Sequence, residues 1–477
     1  MFVPRLMATQ HPDSTIRISC RDEVLEAIEA HLKYKCDEIM IDYEGKLTPY
    51  HQVEWVVEKA VEYNVSVGEK FLLTPRVPRD DLEDVGRHIM SLVGSVLANL
   101  RAYRMGLEPP VRYVIIPMTE DVQDAVRVQR RLMKLERLLC EEAGYPVDQR
   151  LVVVPLVETL ERQVHADAVV EAFHNALVRE ASLFIDTVRV FLGKSDSALK
   201  GGHIASTLSL KIAISRLARW SEERMIGVKI ILGMGKPPFR GHFAPHNTEA
   251  WVREWSSHST VTVQSALRYD TDYNDYIKLI SRVLERQGSK PSIMEVDLES
   301  HVKKIILEAS ELYRRNLSGV LPFIGKLFNV VPSTRERVPH SGYGRQVDGK
   351  RLPRAIRFTA ALYSAGIPPT VLDLEYIARA DSKKLEAILE TYPGLVSDLG
   401  FDLSFFNEEI AMHYMPKDKV RRITEAVRIV SRELGVDAHV EVGEEYWRHA
   451  NRLARVDSED EAKNLVILLA KERGFLG

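Results

Sequence analysis

The sequence has few of the features that mark secreted, disulfide-bonded or membrane proteins. It contains three cysteines in 477 residues, Cys20, Cys36 and Cys140, and they form no C-x-x-C pair. This excludes a disulfide framework and a cysteine zinc site, and it is typical of a reducing cytoplasm. No apolar run approaches the roughly 18 residues of a membrane span, and the charged N-terminus lacks the apolar region of a secretion signal. We therefore expect a cytoplasmic protein with no membrane partner.

Familiar cofactor motifs and a strong excess of charge are also missing. No G-x-G-x-x-G follows an apolar run, and there is no P-loop or H-E-x-x-H, which removes the usual nucleotide and zinc-protease interpretations. His242 and His246 are four residues apart, but Pro245 between them argues against a helical metal pair. The net charge of −3 gives no general case for a nucleic-acid partner.

Short apolar runs recur along the first part of the chain, and many end in a polar or charged residue. The chain is 45% hydrophobic and 28% charged, which is typical of a soluble globular protein with two or three subdomains. The runs are mostly separated by about 30 to 40 residues, room for one helix and two loops, and several are apolar on both faces. Eight such units in residues 1–275 predict a TIM (β/α)8 barrel. The predicted strands are Arg5–Thr9, Glu38–Asp42, Lys70–Thr74, Tyr113–Pro117, Leu151–Val157, Val188–Gly193, Val228–Leu232 and Thr260–Gln264.

Residues 276–477 form a second region in which the strand pattern stops. Apolar stripes predict helices over Leu298–Leu317 and Asp418–Leu434, and a final helix opens with a capping box at Ser458 and closes at Gly474. Between helices lies the segment 331–353, rich in Gly, Pro and Arg, which we call the basic segment. Its composition predicts a structureless loop on a mostly helical region that packs on the barrel.

The stretch Val188–His203 unites the features of a βα unit. An apolar strand ends in a polar turn, Gly193–Ser197, and a helical pattern follows. In parallel α/β folds ligands bind at the carboxyl ends of the strands, where Asp196 falls. This carboxylate could be a metal ligand, a general base or a helix N-cap, and the cap alone has roughly an even chance.

Charged residues stand just past most of the predicted strands, and a barrel brings them around one opening. Glu158 and Asp196 follow consecutive strands, and two carboxylates about 5 Å apart repel unless a cation lies between them. Mg²⁺ accepts one or two carboxylates and leaves its other positions to water and substrate oxygens. The arginines suit bidentate binding of carboxylate or phosphate. The residues after the strands are His11, Glu44, Arg76, Glu120, Glu158, Asp196, Arg240 and Arg268.

Each of these residues also has a plainer interpretation. Glu44 and Glu120 could cap helices, which is the favoured interpretation for both. Arg76 stands beside Pro75 and could be a structural surface arginine. A lone histidine such as His11 is more often a hydrogen-bonded structural residue.

Five segments resemble motifs of phosphoenolpyruvate carboxylase, in that family's order. Residues 191–198, FLGKSDSA, resemble M-L-G-Y-S-D-S-A, and residues 154–160, VPLVETL, resemble V-P-L-F-E-T-L. Residues 9–13 are similar to T-A-H-P-T, 233–245 to the family's glycine- and arginine-rich loop, and 262–265 to T-x-Q-G. The TQHPD and TPRVP segments and the short chain resemble the archaeal type of the family.

The resemblance implies conversion of phosphoenolpyruvate and bicarbonate to oxaloacetate and phosphate. It also implies a cytoplasmic, allosteric homo-oligomer, a tetramer or dimer of dimers, with Mg²⁺ or Mn²⁺ as cofactor. Where the family has an arginine and a lysine, this chain has Met234 and Leu199, so nearby lysines are candidate replacements. The implied roles are Glu158 and Asp196 for the metal, His11, Arg240 and Lys236 for catalysis, and Arg76, Arg240, Arg268 and Lys200 for substrate binding.

The implied chemistry agrees with the strand-end residues. Bicarbonate attacks the phosphoryl group and leaves carboxyphosphate and the enolate of pyruvate, while cations offset the developing charge. A histidine can remove the carboxyphosphate proton and release carbon dioxide beside the enolate. The site must exclude water, and the loop Gly233–Pro245 is the predicted flexible lid.

Two other functions explain part of the pattern. Another Mg²⁺-dependent barrel enzyme acting on phosphoenolpyruvate or pyruvate, such as a mutase, lyase or aldolase, would explain the carboxylates and arginines but not the motif order. A binding protein could use residues 331–357 for nucleic acid or a protein partner, although the overall charge of −3 weighs against it.

Overall fold

Eight parallel strands close into a barrel in a computed structural model of the chain. The first strand pairs with both the second and the eighth, with Leu6 opposite Val261, which closes the ring. All eight predicted strands and the TIM barrel are confirmed, with ends shifted by at most two residues. The structure describes residues 2–11, 13–117, 119, 121–146, 151–333, 335–338, 345–347 and 349–477.

Helices connect the strands and cover the outside of the barrel. Their apolar stripes pack on strand residues that are buried on both faces, as the continuous apolar runs predict. The strands are β1 Leu6–Thr9, β2 Glu38–Asp42, β3 Leu72–Arg76, β4 Tyr113–Ile116, β5 Val152–Val157, β6 Thr187–Gly193, β7 Gly227–Gly233 and β8 Thr260–Val263. The helices are α1 Glu23–Leu32, α2 Gln52–Glu62, α3 Val85–Arg104, α4 Val122–Ala143, α5 Leu160–Gln163, α6 Ala166–Ala181, α7 Lys194–Gly201, α8 His203–Arg224, α9 Thr248–Trp255, α10 Ser265–Tyr269 and α11 Tyr273–Arg286.

The junction after β6 differs from the prediction. The sequence predicts a polar turn over Gly193–Ser197, but α7 begins at Lys194, directly after the strand. Gly193 is the N-cap, so the N-cap interpretation of Asp196 is wrong; this carboxylate lies in the first turn of α7. A carboxylate there interacts favourably with the helix dipole, which explains why so polar a sequence continues as helix.

Gly202 separates α7 from α8, and its φ is +92°. A Cβ there would lie 2.3 Å from Asp373 Oδ1, so only glycine fits the close approach. The His203 backbone N–H donates to Asp373 Oδ2 at 2.6 Å. Asp373 therefore caps α8 from the C-terminal region of the chain.

The C-terminal region is mostly helical, as predicted, and packs on α7 and α8 around a second apolar core. The barrel residues Leu199 and Leu208 belong to that core together with Ile305 and Tyr313. The helix prediction is confirmed at both ends of the final helix, capped by Ser458 and by left-handed Gly474. The elements are α12 Val296–Val330, α13 Ala355–Ser364, α14 Leu374–Arg379, α15 Ser382–Thr391, α16 Leu395–Leu403, α17 Glu408–Tyr414, α18 Lys417–Leu434, α19 Glu444–Leu453 and α20 Glu459–Arg473.

Strands do not stop with the barrel, which corrects one prediction. Within the basic segment, β9 (Arg345–Val347) and β10 (Lys350–Leu352) form a short antiparallel pair. Part of the basic segment lies outside the described residues. In the portion of the chain that the structure describes, none of the helices is both long enough and apolar enough to cross a membrane.

Candidate active site

A cavity of about 140 Å³ lies at the carboxyl ends of the barrel strands. A TIM barrel places its binding residues at this end, because the loops after all eight strands converge there. Five of the residues that follow the predicted strands line the cavity, and they come from strand ends far apart in the chain. They are Glu44, Arg76, Glu158, Asp196 and Arg240.

Glu158 and Asp196 form the acidic wall of the cavity. Glu158 follows β5 directly, and Asp196 lies in α7 beyond the neighbouring strand β6. A Cβ on Gly193 would lie 3.1 Å from the Glu158 Cβ, so this glycine keeps the space beside the carboxylate open. No group of three or more His, Cys, Asp or Glu residues suited to a metal occurs among the described residues. Two carboxylates fit Mg²⁺ or Mn²⁺, which complete their shells with water and substrate, and do not fit zinc.

Arg240 is held rigidly beside the acidic wall. It ends a 3-10 turn after β7 and is only 4% exposed. Burial lowers the pKa of Arg240, and the charges of Asp13 and Asp196 oppose this shift. The guanidinium donates hydrogen bonds to four acceptors, which fix its plane beside the cavity. They are Gln264 Oε1 at 2.6 Å, Ser195 Oγ at 3.0 Å, Asp13 Oδ2 at 3.4 Å and the Gly477 carbonyl.

The loop that carries Arg240 is buried in the protein. Residues 234–244 are all buried, in contrast to the flexible lid that the sequence predicts. The loop folds on itself through Phe243 N donating to Gly235 O at 3.0 Å. His242 Nδ1 lies 2.6 Å from Asp398 of α16, so the C-terminal region fixes the loop from behind. His242 and His246 do contact each other, Nε2 to Nε2 at 2.9 Å, outside any helix shared by both.

Arg76 is the last residue of β3 and faces two buried carboxylates. It donates from Nε and Nη2 to Asp42 at 2.9 and 2.7 Å, and its Nη1 lies 3.1 Å from Glu44. The surface interpretation of Arg76 is therefore wrong, because the side chain is mostly buried in ion pairs. The cap interpretation of Glu44 is wrong too, since the N-cap of α2 is His51. Glu120 lies outside the described residues.

Three cations that sequence reasoning missed line the same cavity and form with Arg76 a basic wall around Asp42 and Glu44. Lys46, Arg337 and Arg354 line the cavity with Arg76. Arg354 donates to Glu44 at 2.8 Å, and Lys46 forms an ion pair with Asp42. We use the term basic wall for these four residues.

The basic segment reaches the cavity through backbone pairing. Arg337 pairs as an isolated antiparallel bridge with Lys46, and Val338 N donates to Gly45 O at 3.3 Å. Burial, followed by the charge of Arg354, lowers the pKa of Arg337 to about 8. Burial and the charges of Arg335 and Arg76 likewise lower the pKa of Lys46. Positive charge is therefore crowded here. In the sequence, only the high arginine content of the basic segment pointed to these cations, and it did not indicate that Arg337 would lie at the cavity.

His11 is not among the cavity-lining residues, although its neighbours Thr9 and Gln10 are. Its Nδ1 lies 3.0 Å from Glu26 Oε1 and its Nε2 lies 2.6 Å from the Ile16 carbonyl oxygen. Both ring nitrogens of His11 are therefore engaged by oxygen atoms of its own chain. Burial opposes ionisation of Glu26, but Arg268 and His11 outweigh it and lower its pKa to about 2.

The other predicted cations also lie outside the cavity lining. Arg268 donates to Glu26 at 2.8 Å and to the Thr9 carbonyl at 2.6 Å. Lys236 donates to the carbonyls of Asp270 and Gly474, and burial lowers its pKa to about 8. Lys200 lies half-buried in the last turn of α7. The structure thus does not bring these residues or His11 into the same cavity as the carboxylate pair.

Comparison with known proteins identifies the family. The phosphoenolpyruvate carboxylase family model matches residues 3–477. The chain belongs to the phosphoenolpyruvate carboxylase family. It is 40% identical to the phosphoenolpyruvate carboxylase of Thermofilum pendens and 38% identical to that of Pyrobaculum aerophilum, with all of each chain covered. The enzyme of Methanosarcina acetivorans is 32% identical over 92% of this chain and 90% of its own. The archaeal-type resemblance is confirmed, and the chain is a carboxy-lyase.

Among solved structures, the malate synthase of Haloferax volcanii is similar at a TM-score of 0.39 and 11% identity. The match covers 89% of this chain and 99% of that one. A likeness this low carries no argument about the reaction of the present chain.

Proposed function

We propose that this phosphoenolpyruvate carboxylase joins phosphoenolpyruvate and bicarbonate, by way of carboxyphosphate and the enolate of pyruvate, to form oxaloacetate and phosphate. One observation carries the proposal beyond the family match: the cavity has an acidic wall and a basic wall. Two anionic substrates require cations on more than one side, because their phosphate, carboxylate and carbonate oxygens repel each other. The cavity lies at the end of the barrel where such enzymes bind their ligands.

Glu158 and Asp196 are the proposed ligands of Mg²⁺ or Mn²⁺. When bound, the ion would supply Lewis-acid stabilisation of substrate oxygens. The roles of the chain itself are to place both carboxylates at the cavity, to keep space open at Gly193, and to fix Arg240 beside Asp196. Four of the five N–H groups of Arg240 donate to Ser195, Asp13, Gly477 and Gln264. A phosphate or carboxylate would therefore accept the remaining N–H, and would accept a second one by replacing one of these partners.

The basic wall is the proposed binding surface for the remaining negative charge. Arg76 and Arg354 share Glu44, and Lys46 lies against Asp42, so the cations keep their positions before substrate arrives. Such pre-organised charge stabilises a transition state without reorganisation during the reaction. Lys236, Lys200 and Arg268 remain proposed contributors that act from behind the cavity lining.

His11 remains the proposed catalytic histidine, with a condition set by its contacts. It must exchange Glu26 or the Ile16 carbonyl for substrate before it can take a proton. The variant His11→Asn then separates the two chemical steps. It should release phosphate slowly and only with bicarbonate, and it should yield pyruvate in place of oxaloacetate, because the stranded enolate is lost to water. Oxaloacetate at the wild-type ratio would show that His11 is structural.

The direct test of function is bicarbonate-dependent release of phosphate from phosphoenolpyruvate, coupled to detection of oxaloacetate. Both products should appear in equal amounts, and both should vanish without bicarbonate or with a metal chelator. Turnover of phosphoenolpyruvate that does not depend on bicarbonate would instead support a mutase, lyase or aldolase. We further propose a cytoplasmic homo-oligomer, a tetramer or dimer of dimers, which sedimentation of the native protein would test.

A further inference from the structure

A second cavity, of about 440 Å³, lies entirely in the C-terminal region. It is formed by α12, a 3-10 turn at Pro369–Asp373, α14 and α18, and it shares no lining residue with the cavity at the barrel mouth. Its volume falls within the roughly 300–1,000 Å³ of small-molecule sites. We call it the α12–α18 groove.

The floor of the groove is apolar and its rim is cationic. Val320, Val371 and Leu372 are buried in the floor. Among the described residues that line the groove, four are basic and one, Glu375, is acidic. Glu375 pairs with the nearby Arg379, and Arg315 pairs with Glu311, so Lys419 and Arg422 carry the positive excess of the groove. The basic residues are Arg315, Arg379, Lys419 and Arg422.

The position of these cations works against the stability of α18. Its first six residues, 417–422, include four basic residues and only one acidic residue. Cations in the first turn of a helix repel the positive end of the helix dipole. Lys419 lies in that turn, and Arg422 lies about one turn further along; both line the groove. Helix stability therefore does not explain the placement of Lys419, whereas binding of an anion by the two cations does.

Lys419 lies close to the backbone of α12 at this end of the groove. A Cβ on Gly319 would lie 3.4 Å from the Lys419 ammonium, an ordinary van der Waals contact. The ammonium therefore borders the groove wall formed by α12.

We propose that the α12–α18 groove binds an organic anion that joins a phosphate or carboxylate group to an apolar or planar body. The body would lie on the apolar floor, and the acidic group would meet Lys419 and Arg422. A small molecule suits the site better than a protein because the groove is concave and enclosed by three helices. The bound molecule would also contact Val371 and Leu372 of the 3-10 turn whose Asp373 caps α8.

The test uses the full-length native protein and two probes. The first is 8-anilinonaphthalene-1-sulfonate, an apolar ring system with one anionic group, followed by its fluorescence. The second is inorganic pyrophosphate, added as a competitor. We expect saturable binding at this site, weakened at least about tenfold by Lys419→Glu/Arg422→Glu, since two attractive charges become repulsive. Pyrophosphate should displace the dye from the wild type but not from the residual site of the variant.

A matched control changes the same charge on the same helix. Arg421→Glu/Arg428→Glu alters the opposite face of α18, away from the groove, and should change dye affinity less than about twofold. The milder Lys419→Ala/Arg422→Ala, with circular dichroism of every variant, separates lost binding from lost folding. Equal weakening in the groove variant and the control, or unchanged affinity in both groove variants, would overturn the proposal.

Discussion

The barrel contains two sets of buried charges that differ in balance. In the barrel interior, Arg189 of β6 meets Glu38 of β2 one to one, with Nη1 to Oε1 at 2.6 Å, and Thr260 accepts a further hydrogen bond. At the mouth, the four cations of the basic wall crowd around Asp42 and Glu44, while Glu158 and Asp196 stand on another wall. The interior pair is balanced in charge within the barrel. At the mouth the cations outnumber Asp42 and Glu44, the two carboxylates that they share, and this positive excess borders a cavity, which is the mark of a binding site.

The largest expected effect is at the acidic wall. Asp196→Asn should lower kcat at least about 1,000-fold, about 4 kcal/mol in the activation free energy, because asparagine keeps the shape but cannot hold a divalent cation. The melting temperature should hardly change. Steady-state kinetics at saturating Mg²⁺ is the measurement, with Asp186→Asn, an exposed residue next to the other end of β6, as the control. A variant that retains more than about a tenth of the rate would exclude the metal-ligand role.

Substitution of the interior pair, Arg189 and Glu38, should lower stability and leave turnover unchanged. Arg189→Met should lower the free energy of unfolding by about 3 kcal/mol, because it leaves Glu38 buried without its partner. Denaturant titration measures this loss, and kcat per folded molecule should stay near the wild-type value. The double variant Glu38→Leu/Arg189→Met should recover most of the stability. Loss of turnover in a folded double variant would contradict a purely structural role.

Arg240→Lys tests whether geometry or charge matters beside the acidic wall. Lysine keeps the charge but not the planar fork that meets Gln264 and Ser195. We expect a loss in kcat of about 100-fold, about 2.7 kcal/mol, with Mg²⁺ affinity little changed. Arg253→Lys, an exposed arginine on α9, is the matched control. Near-normal turnover would move the substrate clamp elsewhere, with Lys236 as the next candidate.

The smallest effect is expected for Arg337 in the basic wall. Arg337→Gln should raise the free energy of unfolding by about 1 kcal/mol, because it removes repulsion from Arg354 and Arg335. The same change should reduce kcat/KM about tenfold if the wall binds substrate. Arg351→Gln, exposed on β10, controls for charge alone. A variant that is less stable, or equally active, would remove Arg337 from the proposed site.

The barrel could be predicted because its strands are apolar on both faces and recur at a regular spacing. Glu158, Asp196, Arg76 and Arg240 followed from position, since parallel strands end at one opening. The orientation of His11 could not be predicted from its position, because contacts to Glu26 and the Ile16 carbonyl decide it. The place of Arg337 at the mouth could not be predicted either. Arg337 pairs with Lys46 through a backbone bridge that spans about 290 residues of chain, and no local pattern encodes such a pairing. The domain division at residue 275 stays a prediction.

The second apolar core joins barrel helices to the C-terminal region, so the barrel cannot be separated from that region without exposing apolar side chains. Leu199 and Leu208, which belong to barrel helices, are fully buried against the C-terminal helices. A fragment that ended after α11 would expose these side chains to water, and it would leave the Arg240 loop without the Asp398 carboxylate behind it. We therefore expect such a fragment to aggregate when expressed alone, and to regain solubility only when the helical half is supplied alongside it.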